Sequence, residues 1–158
     1  MLRSGADSGG GNMDDGHFAT VEVHFDDLDA MGVLHNSRYA LLVERATNTY
    51  WQRLGWSMDA AVSTFPEVLP VVREFMISFA VPVVGAGERV VHLWLDRLGT
   101  TSVVYGFRVL SDDRSVVHAQ GHRVVVNLDP ATLRPAPISD TMRASLVPLL
   151  RDTEVAAR

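Results

Sequence analysis

A chain of 158 residues is the length of one domain, and 47% hydrophobic against 21% charged residues excludes a disordered or collagen-like body. Nineteen Asp and Glu against 14 cationic side chains leave a net charge of −5, which argues against a nucleic-acid partner, because such binding needs a positive surface to displace counterions. Cysteine and lysine are both absent, every cation being arginine, so disulfides, zinc-thiolate sites, thiol nucleophiles, Schiff bases and the phosphate-loop lysine are excluded.

Residues 1–16 are rich in glycine, serine and aspartate, and read as a disordered leader with nothing to bury. They lack the basic and apolar regions of an export signal, and no apolar run reaches the ~20 residues of a membrane span, so a soluble, cytoplasmic protein without a membrane partner is expected. The domain proper is expected over 17–152, with a flexible tail at 153–158. Phe18 to Phe25, rich in valine, phenylalanine and threonine, predicts a first strand. A polar segment from Asp26 to Asn36 follows, ending in an Asn36-Ser37 pair suited to cap a helix. Tyr39, Leu42, Val43, Ala46, Tyr50 and Leu54 then fall on one helical stripe, predicting a helix from near Ser37 to Leu54 with Gly55 as its stop.

Period-two segments dominate after a loop holding Pro66 and Pro70. Val71 to Val81 predicts a strand with Val71, Phe75, Ile77 and Phe79 on one face. Arg89 to Asp96, Val103 to Val109 and Ser115 to Asn127 predict three more, joined as an antiparallel meander. Asp129-Pro130 ends the sheet, and a short helix is expected near Asp140 to Arg151. Strand, long helix and four strands make an α+β fold in which the helix lies across an antiparallel sheet of about five strands. Long strands left exposed invite pairing with another copy, so at least a homodimer is expected.

The run Asp27-Leu28-Asp29-Ala30-Met31-Gly32-Val33-Leu34-His35-Asn36-Ser37-Arg38-Tyr39 carries the chemistry. Gly32 allows a tight turn and close approach of a ligand to the backbone. The helix start beyond it offers unpaired N–H groups and positive dipole, suited to a carbonyl oxygen that gains charge during attack. Asp29 is then placed to attack the carbonyl carbon or to take a proton from water.

This Asp-x-Asp-x-x-Gly spacing, with Asn-x-x-Tyr at a helix start and Glu44 and Ala46 beyond, resembles the hotdog-fold acyl-CoA thioesterases of the 4-hydroxybenzoyl-CoA thioesterase type. The resemblance runs from about Phe18 to Asn127. It implies a hotdog fold and hydrolysis of an acyl-CoA or acyl-carrier-protein thioester, with no cofactor beyond the coenzyme A of the substrate. By the same resemblance Asp29, Gly32 and Asn36 form the catalytic set, and Val33, Leu34, His35, Tyr39 and Glu44 bind substrate. Many relatives carry histidine directly after the glycine, where this chain has Val33, its own histidine coming at His35. Glu44 is the second candidate base, since some hotdog enzymes carry their carboxylate on this helix. The resemblance also implies a homodimer or homotetramer.

Plainer roles compete for several of these residues. Asp27 suits a loop tether, Asn36 a helix cap, and Tyr39 the core, since it opens the apolar stripe. His118 and His122 lie roughly 13 Å apart at ~3.3 Å per residue of strand, too far to share one metal ion, and His17 reads as part of the leader while His24 and His92 read as strand positions, so no metal site is expected. Arg73, Arg89, Arg97, Arg108 and Arg123 lie on or beside strands as candidates for coenzyme A phosphates, and Trp51, Trp56, Phe65, Met76 and Trp94 are either tunnel walls or core. Two other functions fit the scaffold: a hotdog enoyl-thioester hydratase or dehydratase pairing Asp29 with His35, and a noncatalytic acyl-binding protein.

Overall fold

The computed structural model describes residues 15–67 and 69–151. The expected tail and most of the expected leader lie outside these residues. The leader's last two, Asp15 and Gly16, are anchored: the Asp15 carbonyl accepts a hydrogen bond from His92 Nε2 at 2.6 Å.

Five strands, β1 (His17–Val23), β2 (Leu69–Phe79), β3 (Gly87–Leu98), β4 (Ser102–Leu110) and β5 (Val117–Leu128), form one sheet in the order β1-β3-β4-β5-β2. All neighbours are antiparallel, and β3, β4 and β5 form the expected meander. Helix α1 (Tyr39–Arg53) crosses one face, packing mainly on β1 with further contact to β3 and β4. Helix α2 (Asp140–Leu146) closes one end of the sheet, capped by Ser139, whose Oγ accepts from the Met142 N–H.

The periodicities explain these elements. On β1, Ala19, Val21 and Val23 are buried while Thr20 and Glu22 are exposed. Cross-strand partners share a face, which places Val91 and Leu93 of β3 beside Phe107 and Val109 of β4 under the helix. On α1, Tyr39, Leu42, Val43 and Ala46 face the sheet, with Thr47 completing the stripe. Gly55, at φ +94°, ends the helix, where Gly55 and Trp56 N–H groups return to Gln52 and Trp51 carbonyls.

Several expectations need correction. β1 begins at His17, a residue expected in the leader, and stops at Val23; Phe25–Asp27 is a 3₁₀ turn and Phe25 is exposed. His17 is buried edge-on against Tyr50, and burial, then the Arg53 charge, lowers its pKa. α1 is preceded by a 3₁₀ turn at Asn36–Arg38, which His35 caps; α1 itself starts after Arg38 with no side-chain cap, so the Asn36-Ser37 pair caps neither. Leu54 lies past the helix end and is exposed. On β2 the expected common face of Val71, Phe75, Ile77 and Phe79 is split. A bulge between Val72 and Glu74 inserts Arg73 into the strand, so Val72 shares the helix-side face with Phe75, and Val71 turns away. The final helix is shorter than expected, with a 3₁₀ turn over Val147–Leu149.

Tyr105 is 2% exposed, and burial pushes its phenol up to about 12, with Tyr39 and Tyr50 raised in the same direction for the same reason. A phenol kept neutral in the folded state contributes stability that is full below the unfolded value of 10.0 and is lost as pH rises through the folded one. Urea unfolding is expected to lose about 2–3 kcal/mol on account of Tyr105 as pH rises from 10 towards 12, and Tyr105→Phe is expected to flatten that decline.

Candidate active site

The loop between β1 and α1 is built on Asp29. An isolated antiparallel bridge joins Leu28 to Leu34. Inside it, the Asp29 N–H donates to the Val33 carbonyl at 2.8 Å and the Gly32 N–H to the Asp29 carbonyl at 3.0 Å. The Asp29 side chain completes the turn, Oδ1 accepting from the N–H groups of Met31 (2.8 Å) and Val33 (3.1 Å). Two amide donors therefore fix one carboxylate oxygen, while Oδ2 has no hydrogen-bond partner among the described residues. Asp29 is half-buried. Gly32 sits at φ +74°, and a Cβ there would meet open space, so the backbone conformation demands glycine and its surface is open to approach.

The loop is pinned on both sides. Val33 bridges to Val84, the Leu34 N–H donates to the Val83 carbonyl at 2.9 Å, and Gly85 donates to the Gly32 carbonyl at 2.9 Å. Asp27 is the tether its position suggests: 4% exposed, it accepts from the His24 N–H at 2.8 Å, with Arg38 at 3.7 Å and Arg45 at 3.9 Å. Its carbonyl accepts the His35 N–H at 3.0 Å, tying the Asp29 turn to the start of α1.

His35 caps the 3₁₀ turn that leads into α1. Its Nδ1 accepts from the Ser37 N–H at 3.2 Å and lies 2.8 Å from Ser37 Oγ, which places the proton of the neutral ring on Nε2. The ring is committed to the cap, and no hydrogen bond joins it to Asp29 among the described residues. Asn36 is exposed as the first residue of the 3₁₀ turn, where its N–H has no partner within the helix. Val33 is half-buried. Leu34 and Tyr39 are both 3% exposed and belong to the core, Tyr39 packing edge-on against Phe79 at 5.0 Å. Asp29, Gly32, Val33, His35 and Asn36 are thus gathered on one loop and helix start.

Glu44 lies apart from them, eight residues beyond Asn36 or roughly 12 Å along the axis at ~1.5 Å per residue. There its Oε2 accepts from Arg123 Nη1 at 2.5 Å, and the pair borders a cavity between α1, β4 and β5. Residue-by-residue reading did not single out Arg123 as this partner. The available signal was parity: a charged residue stands between Gly121 and Val125 at a helix-facing position of a strand. Three of the five candidate phosphate-binding arginines lie in different settings: Arg123 is buried on the helix side, Arg108 stands over the Trp94 ring, and Arg89 donates to the Val84, Gly85 and Glu88 carbonyls. Of the bulky set, Trp51 and Trp56 line the cavity, Phe65 is core, and Met76 and Trp94 lie on the other face of the sheet. No group of three His, Asp or Glu residues that could hold a metal ion occurs among the described residues.

Residues 23–146 match the family model of the thioesterase-like superfamily. The chain belongs to the thioesterase-like superfamily. Solved structures agree on the hotdog fold. A protein of Pseudomonas aeruginosa strain PAO1 superposes with a TM-score of 0.75 at 24% identity over 86% of this chain and 92% of its own. A 1,4-dihydroxy-2-naphthoyl-CoA thioesterase from Synechocystis gives 0.72 at 13% identity, over 82% and 94%. A thioesterase from Thermus thermophilus, solved with coenzyme A and zinc, gives 0.68 at 26% identity, over 84% and 92%. Within this thioesterase-like chain no described helix is long and apolar enough to cross a membrane.

Proposed function

We propose that the protein hydrolyses an acyl-CoA thioester at the Asp29 loop. One observation carries this reading: the Asp29 carboxylate is clamped through one oxygen by two backbone N–H groups and open at the other, on a loop tied to the first turn of α1. The clamp fixes direction, and the open oxygen supplies reactivity. The thioester carbonyl oxygen faces the Asn36 N–H at the start of the turn before α1, which stabilises charge as it develops. Asp29 then acts in one of two ways. As base, Oδ2 takes a proton from water, the resulting hydroxide adds to the carbonyl carbon, and the C–S bond breaks to release the thiolate, which takes up a proton. As nucleophile, Oδ2 adds to that carbon and expels the thiolate, and water opens the acyl anhydride. Neither route calls for a cofactor beyond the coenzyme A of the substrate. Acyl carrier protein can present the same thioester, and the coenzyme A bound to the Thermus thermophilus relative supports the smaller carrier.

The test is thiol release from a panel of acyl-CoAs, followed beside the enoyl absorbance of unsaturated members. Hydrolysis predicts stoichiometric thiol with free acid. Hydration of the enoyl group without thiol release would favour the hydratase, which the commitment of His35 to its cap weighs against, and saturable binding without turnover would favour an acyl-binding protein.

The same reading includes a homodimer or a homotetramer built from it, and the cytoplasm as its location, which suits a chain without cysteine. β2 is an edge strand with an unpaired side, and Val71, Val72, Met76 and Phe79 on it are exposed. Light scattering on the purified chain is expected to give at least twice 17.3 kDa; a single-chain mass at micromolar concentration would contradict it.

A further inference from the structure

We infer that the groove on the sheet face away from α1 binds a small organic carboxylate, a ligand other than the thioester, at Arg108 and Arg151. The groove holds about 290 Å³, room for a single-ring compound, and crosses β3, β4, β5 and β2 with Met76, Ser78, Trp94, Arg108, Gln120 and Arg151 among its walls. The sheet separates it from α1 and from the cavity beside Glu44.

Trp94 is the base on which the two cations stand. Its indole covers Gly106, the cross-strand partner on β4, and only glycine leaves it room: a Cβ there would lie 2.2 Å from ring atoms. Asp96 Oδ1 accepts from the indole N–H at 2.7 Å, and the residue is buried. Two guanidinium carbons stand over the ring, Arg151 at 4.2 Å and Arg108 at 5.4 Å from its centre, so one aromatic face orients both forks. Arg151 is set there by its backbone, whose N–H donates to the Leu95 carbonyl at 3.0 Å. Its guanidinium has no hydrogen-bond acceptor among the described residues. Burial, and after it the Arg151 charge, lowers the Arg108 pKa, as the approach of two cations requires.

The lining selects the charge of the ligand. Arg108 and Arg151 against Asp96 leave one net positive charge, and His122 at the other side is already paired with Glu74 at 2.9 Å. A monoanion balances that charge. A dianion exceeds it and meets Asp96 and Glu74, while a neutral group leaves the Arg151 fork without an acceptor. Among monoanions a carboxylate presents two oxygens at the spacing of a guanidinium fork. Arg108, Gln120 and Ser78 stand side by side across β4, β5 and β2, and the next row runs Gly106, His122 and Met76. The first row continues the arginine end with neutral hydrogen-bonding groups. In the second, the exposed Met76 offers an apolar surface to the body of the ligand.

The test is calorimetry on the full chain with benzoate, its neutral counterpart benzamide, and inorganic phosphate. Benzoate is expected to bind at least about tenfold more tightly than either of the others. It is expected to keep binding to Asp29→Asn saturated with an uncleaved acyl-CoA, since the groove lies across the sheet from the thioester. Arg151→Gln is expected to weaken benzoate at least about tenfold while thermal unfolding stays that of wild type, and Arg108→Gln is a second variant read by the same criterion. Equal affinity for benzoate and benzamide would overturn the inference, as would tighter binding of phosphate or an unchanged affinity in both folded variants. Loss of all benzoate binding under saturating acyl-CoA would also overturn it, by placing the carboxylate in the thioester site. None of these readouts depends on turnover.

Discussion

Asp29→Asn is expected to lower kcat for thiol release by about 10²–10⁴-fold, the usual contribution of a positioned acid–base group, while the protein stays folded. Asparagine retains a side-chain oxygen, so the acceptor that holds the Met31 and Val33 N–H groups survives. The replaced atom is the one facing outward, an amide nitrogen that neither accepts a proton nor attacks a carbonyl. Thermal unfolding close to that of wild type beside lost turnover would identify a chemical role. Asp29→Ala differs by also removing the clamp, and is expected to loosen the loop as well as abolish activity. Full activity in Asp29→Asn would reject the role assigned to this carboxylate.

Phe107→Ala is expected to cost about 3–5 kcal/mol, the range for emptying a buried aromatic site. Phe107 is fully buried on β4, stacks on Phe75 at 5.3 Å, and lies opposite Gly121 of β5. The missing side chain at Gly121 leaves the ring its place: a Cβ there would run into the Met76 carbonyl and crowd the ring. Neighbours held by four strands cannot collapse into the void. Against a typical total stability of 5–15 kcal/mol this is a large share, and urea unfolding with an unchanged slope would record it as a shifted midpoint. A loss under about 1 kcal/mol would mean that the sheet relaxes around the cavity.

The parts of the fold legible in the sequence were those governed by local period. The stripe through Tyr39, Leu42, Val43 and Ala46 found α1, alternation found three of the later strands, and a long apolar-rich run found the fourth, with the meander that joins three of them. What failed was non-periodic. The Arg73 bulge reverses parity within β2, and no alternation rule anticipates the one extra residue that turns Val71 away from Phe75. The cap shifted to His35 because an imidazole nitrogen can accept an N–H as a hydroxyl or amide oxygen does, although capping preferences favour Asn and Ser. His17 gained its buried place from pairing with Leu93, a long-range contact.

The site divides in the same way. Asp29 and Gly32 were legible because turn chemistry is local: an aspartate whose side chain accepts N–H groups two and four residues on, and a glycine at positive φ. Glu44 was visible as a candidate but its environment was not, because Arg123 lies 79 residues away and meets it only when β5 is set in register beside β4.

The most direct measurement is the electron density of an uncleaved acyl-CoA bound to Asp29→Asn. The thioester carbonyl oxygen is expected within hydrogen-bond distance of a backbone N–H at the Asn36–Tyr39 turn, with its carbon facing the substituted side chain at position 29. A thioester seated elsewhere, with that side chain turned to bulk solvent, would contradict it.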